Sequence, residues 1–380
     1  MYRYVRLWSC EGGDAMSAPS TLSSGQALRV CLVAGSYPPE LCGVGHYTER
    51  LADALSERGH DVYVVVAPAG VGVGPTLRRI PSDCVVHLQY PTIGSGRSLT
   101  PLAMLALCSR PAVLTLHEFS AAHPLRRGAG AILATLATRT ILTSGHERRS
   151  LLRVVPFAAR RSEVVPIGHN VRVMAGPVAP EVDAVYFGLL APNKGLEPFL
   201  ELVRLADERG HNLRFRVLGG WNLRHEAYVF HTMANAARLP VEWSGELDEK
   251  ALSLELRRAR AAYLPFPDGA SERRASLLAT LAHGVATITS GGRGTTDELR
   301  RTIAVVASPS GALAQILTLD DAEWDSRRKA GLAYAARRAW PLVARGHEQV
   351  YQRLLGVEPR DAVPADRHNS PACARAVAPP

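Results

Sequence analysis

A chain of 380 residues is longer than one hydrophobic core usually serves, so two domains are expected. With 47% hydrophobic and 21% charged residues it reads as globular, and its greasiest run, Leu102 to Cys108, is too short to span a bilayer. The net charge of +9 points to acidic partners such as phosphates, anionic lipid or nucleic acid, and six cysteines without C-x-x-C spacing argue against structural zinc and a disulfide scaffold.

Residues 1–27 are polar and Gly/Ser-rich and are expected to be disordered. They lack the apolar core of a signal peptide, which with the scattered cysteines gives a cytoplasmic expectation, and Met16 offers a second start. A first α/β domain is expected over 28–173: a buried strand at 29–35, an amphipathic helix at 46–60 and a strand at 61–67 form a βαβ unit. Further strands follow at 84–88, 112–116, 139–142 and 162–166, with helices between. A Pro/Ala-rich linker at 174–182 separates this from a second alternation over 183–338. Its strands are expected at 184–187, 214–218, 241–243, 261–264, 286–289 and 303–306. Its helices are expected at 196–209, 225–237, 249–259, 274–282 and 321–338. A last helix, 341–355, falls in a closing segment at 339–356, and the tail at 357–380 reads as disordered. Two Rossmann-like halves with parallel sheets place a ligand cleft between the carboxyl ends of their strands.

The first strand runs into SYPPELCGVGHYTERL, where Gly43 and Gly45 precede the expected helix. Glycines there let backbone approach a ligand, and free N–H groups with the helix dipole suit an anion. An NAD-binding loop does not fit: Thr48 replaces the third glycine, seven residues separate Gly35 from Gly43, and the second strand ends without an acidic residue. The longer pattern S-Y-P-P-x-x-x-G-V-G-x-Y-T-x-x-L-A-x-A-L-x-x-R-G-H-x-V resembles the amino-terminal signature of the GT4 family of retaining glycosyltransferases, which have the GT-B fold. That resemblance implies that the glycine loop lies near the donor diphosphate and the acceptor.

His117 ends a buried strand in AVLTLHEF, at a ligand-bearing position of such sheets, although a lone histidine is more often structural. The segment resembles the family's V-x-T-x-H-D, which implies contact of His117 with the transferred sugar or acceptor; Glu118 stands where Asp is frequent. VVPIGHNV resembles the family's V-I-P-N-G-V-D and brings His169 and Asn170 toward the cleft or merely into a turn. VYFGLLAPNKGLEPFLEL resembles V-G-R-L-x-x-x-K-G, in which an Arg and a Lys grip the diphosphate. Lys194 matches the lysine and Leu189 takes the arginine's place. Only Lys194, Lys250 and Lys329 are lysines among 44 basic residues, which favours a function for Lys194 over a solvated loop charge. RFRVLGGW matches a strand ending at the cleft in Gly219.

LPFPDGASERRASLLATLAHGVATITS resembles the family's E-x7-E region, anchored on Gly284, but its glutamates fall on Ser271 and Ala279. In their place stand Asp268, Ser271, Glu272, Arg273, Arg274 and Ser276 at an expected helix start. This resembles a variant subgroup with D-G-x-S-x-R-R-x-S before L-x-A-L-A-H-G, with Thr280 at that pattern's first alanine. N–H groups at that start suit phosphate, and one arginine can replace the cation missing at Leu189. A solvated charged turn is the plainer alternative. AWPLVARGHEQVYQRLL resembles the GT-B carboxyl-terminal segment that crosses back to the first domain.

The resemblance, over roughly residues 29–356, implies retaining, metal-independent transfer of a hexose from a nucleotide-diphosphate sugar as co-substrate, without a resident cofactor. The chain has no D-x-D motif. The acceptor, a sugar, a lipid-linked compound or another small molecule, is not legible. Alternatives are a GT-B sugar-nucleotide-binding or assembly protein without activity, and a GT-B sugar-nucleotide epimerase. Arg148, Arg149, Arg153, Arg160 and Arg161 form a basic stretch suited to peripheral contact with the inner face of an anionic membrane, or to a solvated face in an Arg-rich chain. No RNA-binding signature with interleaved aromatics appears.

Overall fold

A computed structural model describes residues 6–7 and 27–357. The first domain runs β1 (Arg6–Leu7), β2 (Arg29–Ala34), α1 (Gly43–Glu57), β3 (Asp61–Val66), α2 (Val73–Arg78), β4 (Val85–Tyr90), α3 (Thr100–Leu107), β5 (Ala112–Leu116), α4 (Pro124–Leu136), β6 (Arg139–Leu142), α5 (Gly145–Leu152) and β7 (Ser162–Val164). The second runs β8 (Val182–Phe187), α6 (Leu196–Glu208), β9 (Phe215–Leu218), α7 (Glu226–Asn235), β10 (Val241–Trp243), α8 (Glu249–Arg258), β11 (Ala259–Leu264), α9 (Ala275–Ala282), β12 (Ala286–Ser290), α10 (Asp297–Arg300), β13 (Ala304–Val306), α11 (Pro309–Leu317) and α12 (Asp321–Ala336). The chain then enters α13 (Trp340–Leu355).

Every strand pairing is parallel, in the orders β1-β3-β2-β4-β5-β6-β7 and β10-β9-β8-β11-β12-β13. The expected α/β architecture of two Rossmann-like sheets is therefore present. The strands are apolar on both faces because helices cover both. Val30 and Leu32 of β2 join one core, and Cys31 and Val33 join the other. Apart from the edge strand β1, the order of each sheet reverses once, between β2 and β4 and between β8 and β11. Those reversals open crevices at the strands' carboxyl ends.

Three expectations change. Arg6–Leu7, inside the segment expected to be disordered, pairs with Tyr63 and Val64 of β3; the other expectations for residues 1–26 and 358–380 lie outside the described residues. Helix α1 begins at Gly43, not His46, so both loop glycines belong to its first turn. Burial of Tyr47, Leu51, Ala52 and Leu55 on one face outweighs the poor helix propensity of two glycines. Two further helices, α10 and α11, follow Thr296 and Ser308, whose hydroxyls accept from Leu299 N and Gly311 N as N-caps.

Helix α13 leaves the second domain and packs on α1 of the first. Its inward face is largely polar: His347, Glu348, Tyr351 and Gln352 are buried beside Val343, Ala344 and Val350. His347 Nδ1 donates to Val343 O (2.8 Å), which leaves Nε2 to accept from Tyr47 Oη (3.2 Å). Tyr351 Oη meets His87 Nδ1 at 2.7 Å, and His87 Nε2 meets Thr115 Oγ1 at 2.7 Å. Arg58 Nε donates to Glu348 Oε2 at 2.8 Å. His347, Tyr351 and Glu348 thus find partners on α1, just after it or on the first-domain strands, and Gln352 Nε2 donates to Glu348 Oε1 (3.2 Å), which ties α13 to one register. At the start of α13, Trp340 Nε1 donates to His169 O (2.7 Å).

A Cβ at Gly168 would lie 2.7 Å from Trp340 Cε2. Gly168→Ala is expected to destabilise the protein by about 1–3 kcal/mol, seen as a lower denaturation midpoint; an unchanged midpoint would contradict this packing. Burial, and secondarily its histidine neighbours, holds His87 well below its ordinary pKa, and burial lowers His347 to about 4. The unfolded chain, with histidines near pKa 6.5, takes up protons first as pH falls. Stability is full above about pH 6.5 and is lost below it by about 1.4 kcal/mol per pH unit for each such histidine. Denaturant titrations between about pH 7 and 5.5, above the carboxylate range, check this; a flat profile there would refute it.

Candidate active site

The two crevices face one another across a cleft of about 930 Å³ lined by both domains. On the second-domain wall, β8 ends at Phe187 and the chain turns toward Lys194. Asn193 (φ 60°) and Gly195 (φ 92°) are both left-handed and bracket Lys194. A side chain at Gly195 would strike the Pro265 carbonyl, so glycine lets this turn lie against the one that follows β11. Tyr186 Oη donates to Lys194 O at 2.9 Å and fixes the turn from below. Gly219 (φ 141°) approaches the Gly188 backbone in the same way at the end of β9.

The turn after β11 carries the Ser/Arg cluster. Gly269 (φ 83°) packs against Gly291 and Gly292, where no side chain fits. Arg274 occupies the N-cap position of α9, stacks over Phe266 with Cζ 4.8 Å from the ring centre, and lines the cleft. Its Nε is buried without a hydrogen-bond partner. Arg273 and Ser276 also line the cleft, whereas Asp268 and Ser271 do not. Asp268 instead accepts from both arginines. Ser271 Oγ is buried without a hydrogen bond, with its Cβ against Gly294. The positions where the resembled family has its second glutamate and its arginine hold Ala279 and Leu189, both on the cleft wall.

Three cations, Lys194, Arg273 and Arg274, therefore converge. Burial lowers the Lys194 pKa, Arg274 and then Arg273 add repulsion, and Glu118 offsets part of it. Burial likewise lowers the Arg274 pKa, against the pull of Glu118. Asp268 pairs with Arg274 but lies off the cleft wall, so the burial-lowered lysine and arginine line a crevice in which an anion would be stabilised. The N–H groups of the first turn of α9 add to it, because the first helical bond is Leu278 N to Arg274 O.

On the first-domain wall, Gly43 and Val44 line the cleft while Gly45 packs on the Ser36 carbonyl. Cys42, at the N-cap of α1, makes no side-chain cap, and the first helical bond is His46 N to Cys42 O. The N–H groups of Gly43, Val44 and Gly45 thus have no partner within the helix. His117 follows β5, 9% exposed, with its ring edge-on to Tyr47 at 4.6 Å. Burial, with a smaller contribution from His347, brings its pKa to about 3, so it is neutral at ordinary pH. Nε2 lies 2.8 Å from Gln89 Oε1. With that acceptor Nε2 carries the proton and Nδ1 the lone pair.

Of the VVPIGHNV pair, Asn170 lines the cleft, while His169 faces a separate hollow with Arg50, Asp53 and Trp340. Arg148, from the basic stretch, is turned inward: Nε donates to Ser162 O (3.1 Å) and Nη2 to Ala159 O (2.8 Å). Sequence reasoning did not single out Arg97, Arg126, Arg224 and Glu246, which also line the cleft. They belong to no motif, and only the folding of separate loops onto one cavity marks them.

No protein-family profile and no curated protein matches the chain. Solved structures do. A sucrose-phosphate synthase from Thermosynechococcus elongatus superposes with a TM-score of 0.69 at 16% identity, covering 87% of this chain and 99% of that one. HepE from Anabaena, solved with UDP and glucose, gives 0.67 at 12% identity over 86% and 100%. AviGT4, a glycosyltransferase involved in avilamycin A biosynthesis, gives 0.57 at 18% identity over 87% and 98%. At such identities the likeness concerns architecture: this chain is similar to these proteins in having the GT-B fold.

Proposed function

We propose that this protein is a glycosyltransferase that moves a hexosyl group from a nucleoside-diphosphate sugar to an acceptor, with retention and without a metal ion. The observation that carries the reading is the anion-deficient crevice formed by Lys194 and Arg274, with the buried Arg274 Nε unpartnered, at the carboxyl ends of β8 and β11. A diphosphate leaving group fits it by charge and by geometry. Lys194 stabilises the negative charge that grows as the sugar–oxygen bond breaks. Arg274 supplies the second cation, in place of the arginine whose position Leu189 occupies, and its planar guanidinium suits bidentate phosphate binding. Ser276 and the N–H groups of α9 complete that end.

The neutral His117, on the opposite wall, takes a sugar hydroxyl as a hydrogen-bond partner and not as a proton-transfer partner, since its low pKa makes it a weak base. Gly43 and the free N–H groups of α1 lie beside it, toward the diphosphate or the acceptor. In the proposed retaining reaction the acceptor attacks from the face the diphosphate leaves. The UDP-containing neighbour supports the donor class, and the resemblance to GT4 sequences supports retention.

Incubation with UDP-, GDP- and ADP-sugars and a set of acceptors tests the reading. Transfer to an acceptor supports it. Nucleotide binding without transfer or hydrolysis favours a binding protein, and conversion of the donor alone favours an epimerase. Lys194→Ala and Arg274→Ala are each expected to lower kcat/KM by about 100- to 1,000-fold. His117→Ala is expected to lower kcat by about 10- to 100-fold with nucleotide affinity unchanged. Full activity in Lys194→Ala would remove the phosphate assignment.

A further inference from the structure

Arg273 behaves unlike its two cationic neighbours. It extends from the second domain to the first: Nη1 donates to Glu118 Oε1 at 2.8 Å, and Nη2 donates to Asp268 Oδ2 at 2.7 Å. Its Nε lies 3.8 Å from Glu147 Oε1. Its side chain is 13% exposed and faces three carboxylates, two of them across the domain boundary. Arg273 is therefore held by carboxylates of both domains, whereas Arg274 pairs only with Asp268 of its own turn.

The turns on both sides of this contact are braced by hydrogen bonds. Glu147 is buried, and its Oε2 accepts from Phe119 N (2.7 Å) and Ser120 N (2.8 Å) while Oε1 accepts from Ser120 Oγ (2.5 Å). It thereby holds the turn that follows His117. On the other side, Ala270 N donates to Ser290 O (2.8 Å), and Thr295 Oγ1 donates to Ala270 O (2.6 Å). A second ion pair, Arg50 with Glu249, joins the domains through α1 and α8.

We propose that Arg273 is a positioning residue: by binding Glu118 across the cleft it holds the second domain in the register that sets His117 opposite Lys194 and Arg274, and it is not a ligand of the donor phosphate. The effect on turnover rests on the glycosyltransferase reading. The effect on domain arrangement does not.

The test uses the full chain and the variants Arg273→Ala, Arg273→Lys, Glu118→Gln and Arg274→Ala, each first shown to be folded by thermal melting. Small-angle scattering without ligand is expected to show a wider distance distribution for Arg273→Ala and Glu118→Gln than for the parent. In calorimetry with UDP, GDP and ADP, Arg273→Ala is expected to keep nucleotide affinity within about twofold. Arg274→Ala is expected to weaken it about 10- to 100-fold. With an active donor, Arg273→Ala is expected to lower kcat about 100-fold with donor KM little changed, and Arg273→Lys to recover part of the loss. Unchanged scattering, or a loss of nucleotide affinity in Arg273→Ala that matches Arg274→Ala, would overturn the proposal. If the parent binds none of the three nucleotides, the functional reading fails, and scattering alone decides the positioning role.

Discussion

The docking of α13 on the first domain is the constraint on which the cleft depends. Two parallel-sheet domains joined by a linker could adopt many relative orientations. Here one hydrophobic core runs from Val30 and Leu51 through Val185 and Leu278 to Val343 and Tyr351, so the domains share an interior. Apolar burial alone would tolerate sliding. The contacts of His347 with Tyr47 and of Tyr351 with His87 do not, because a shifted helix would strand buried polar groups.

Within that frame, close backbone approach does the local work. Gly195 against Pro265 brings the Lys194 turn onto the Ser/Arg turn, and Gly269 against Gly292 holds the latter in place. The outcome is a concentration of positive charge that the protein itself only partly neutralises. Asp268 serves both arginines without reaching the cleft, and Glu118 is occupied by Arg273. The carboxylates steady the arginines and leave the crevice cationic. Such a site has a standing electrostatic cost in the empty protein, which an anionic ligand removes.

The architecture was legible in the sequence because strands covered on both faces are continuous apolar runs, and the helices between them carry regular stripes. The cleft position of Lys194 and His117 is legible for a related reason: both sit at strand ends or just beyond, where α/β sheets present ligands. Gly43 and Gly45 look like loop residues locally, and only the burial of Tyr47 and Leu51 places them in α1. Arg273 was legible as a cleft residue but not as a bridge, since Glu118 lies 155 residues away in the chain. Its distinction from Arg274, one position on, depends on which carboxylates the fold delivers to each. Sequence spacing cannot supply that.

The seam at α13 also sets an order of events during synthesis. His87 emerges from the ribosome 264 residues ahead of Tyr351, its partner. At about 5–20 residues per second, the first domain spends roughly 10–50 s with that histidine and the apolar face beside it uncovered. Throughout that interval the face of the first domain that α13 covers stays open to solvent.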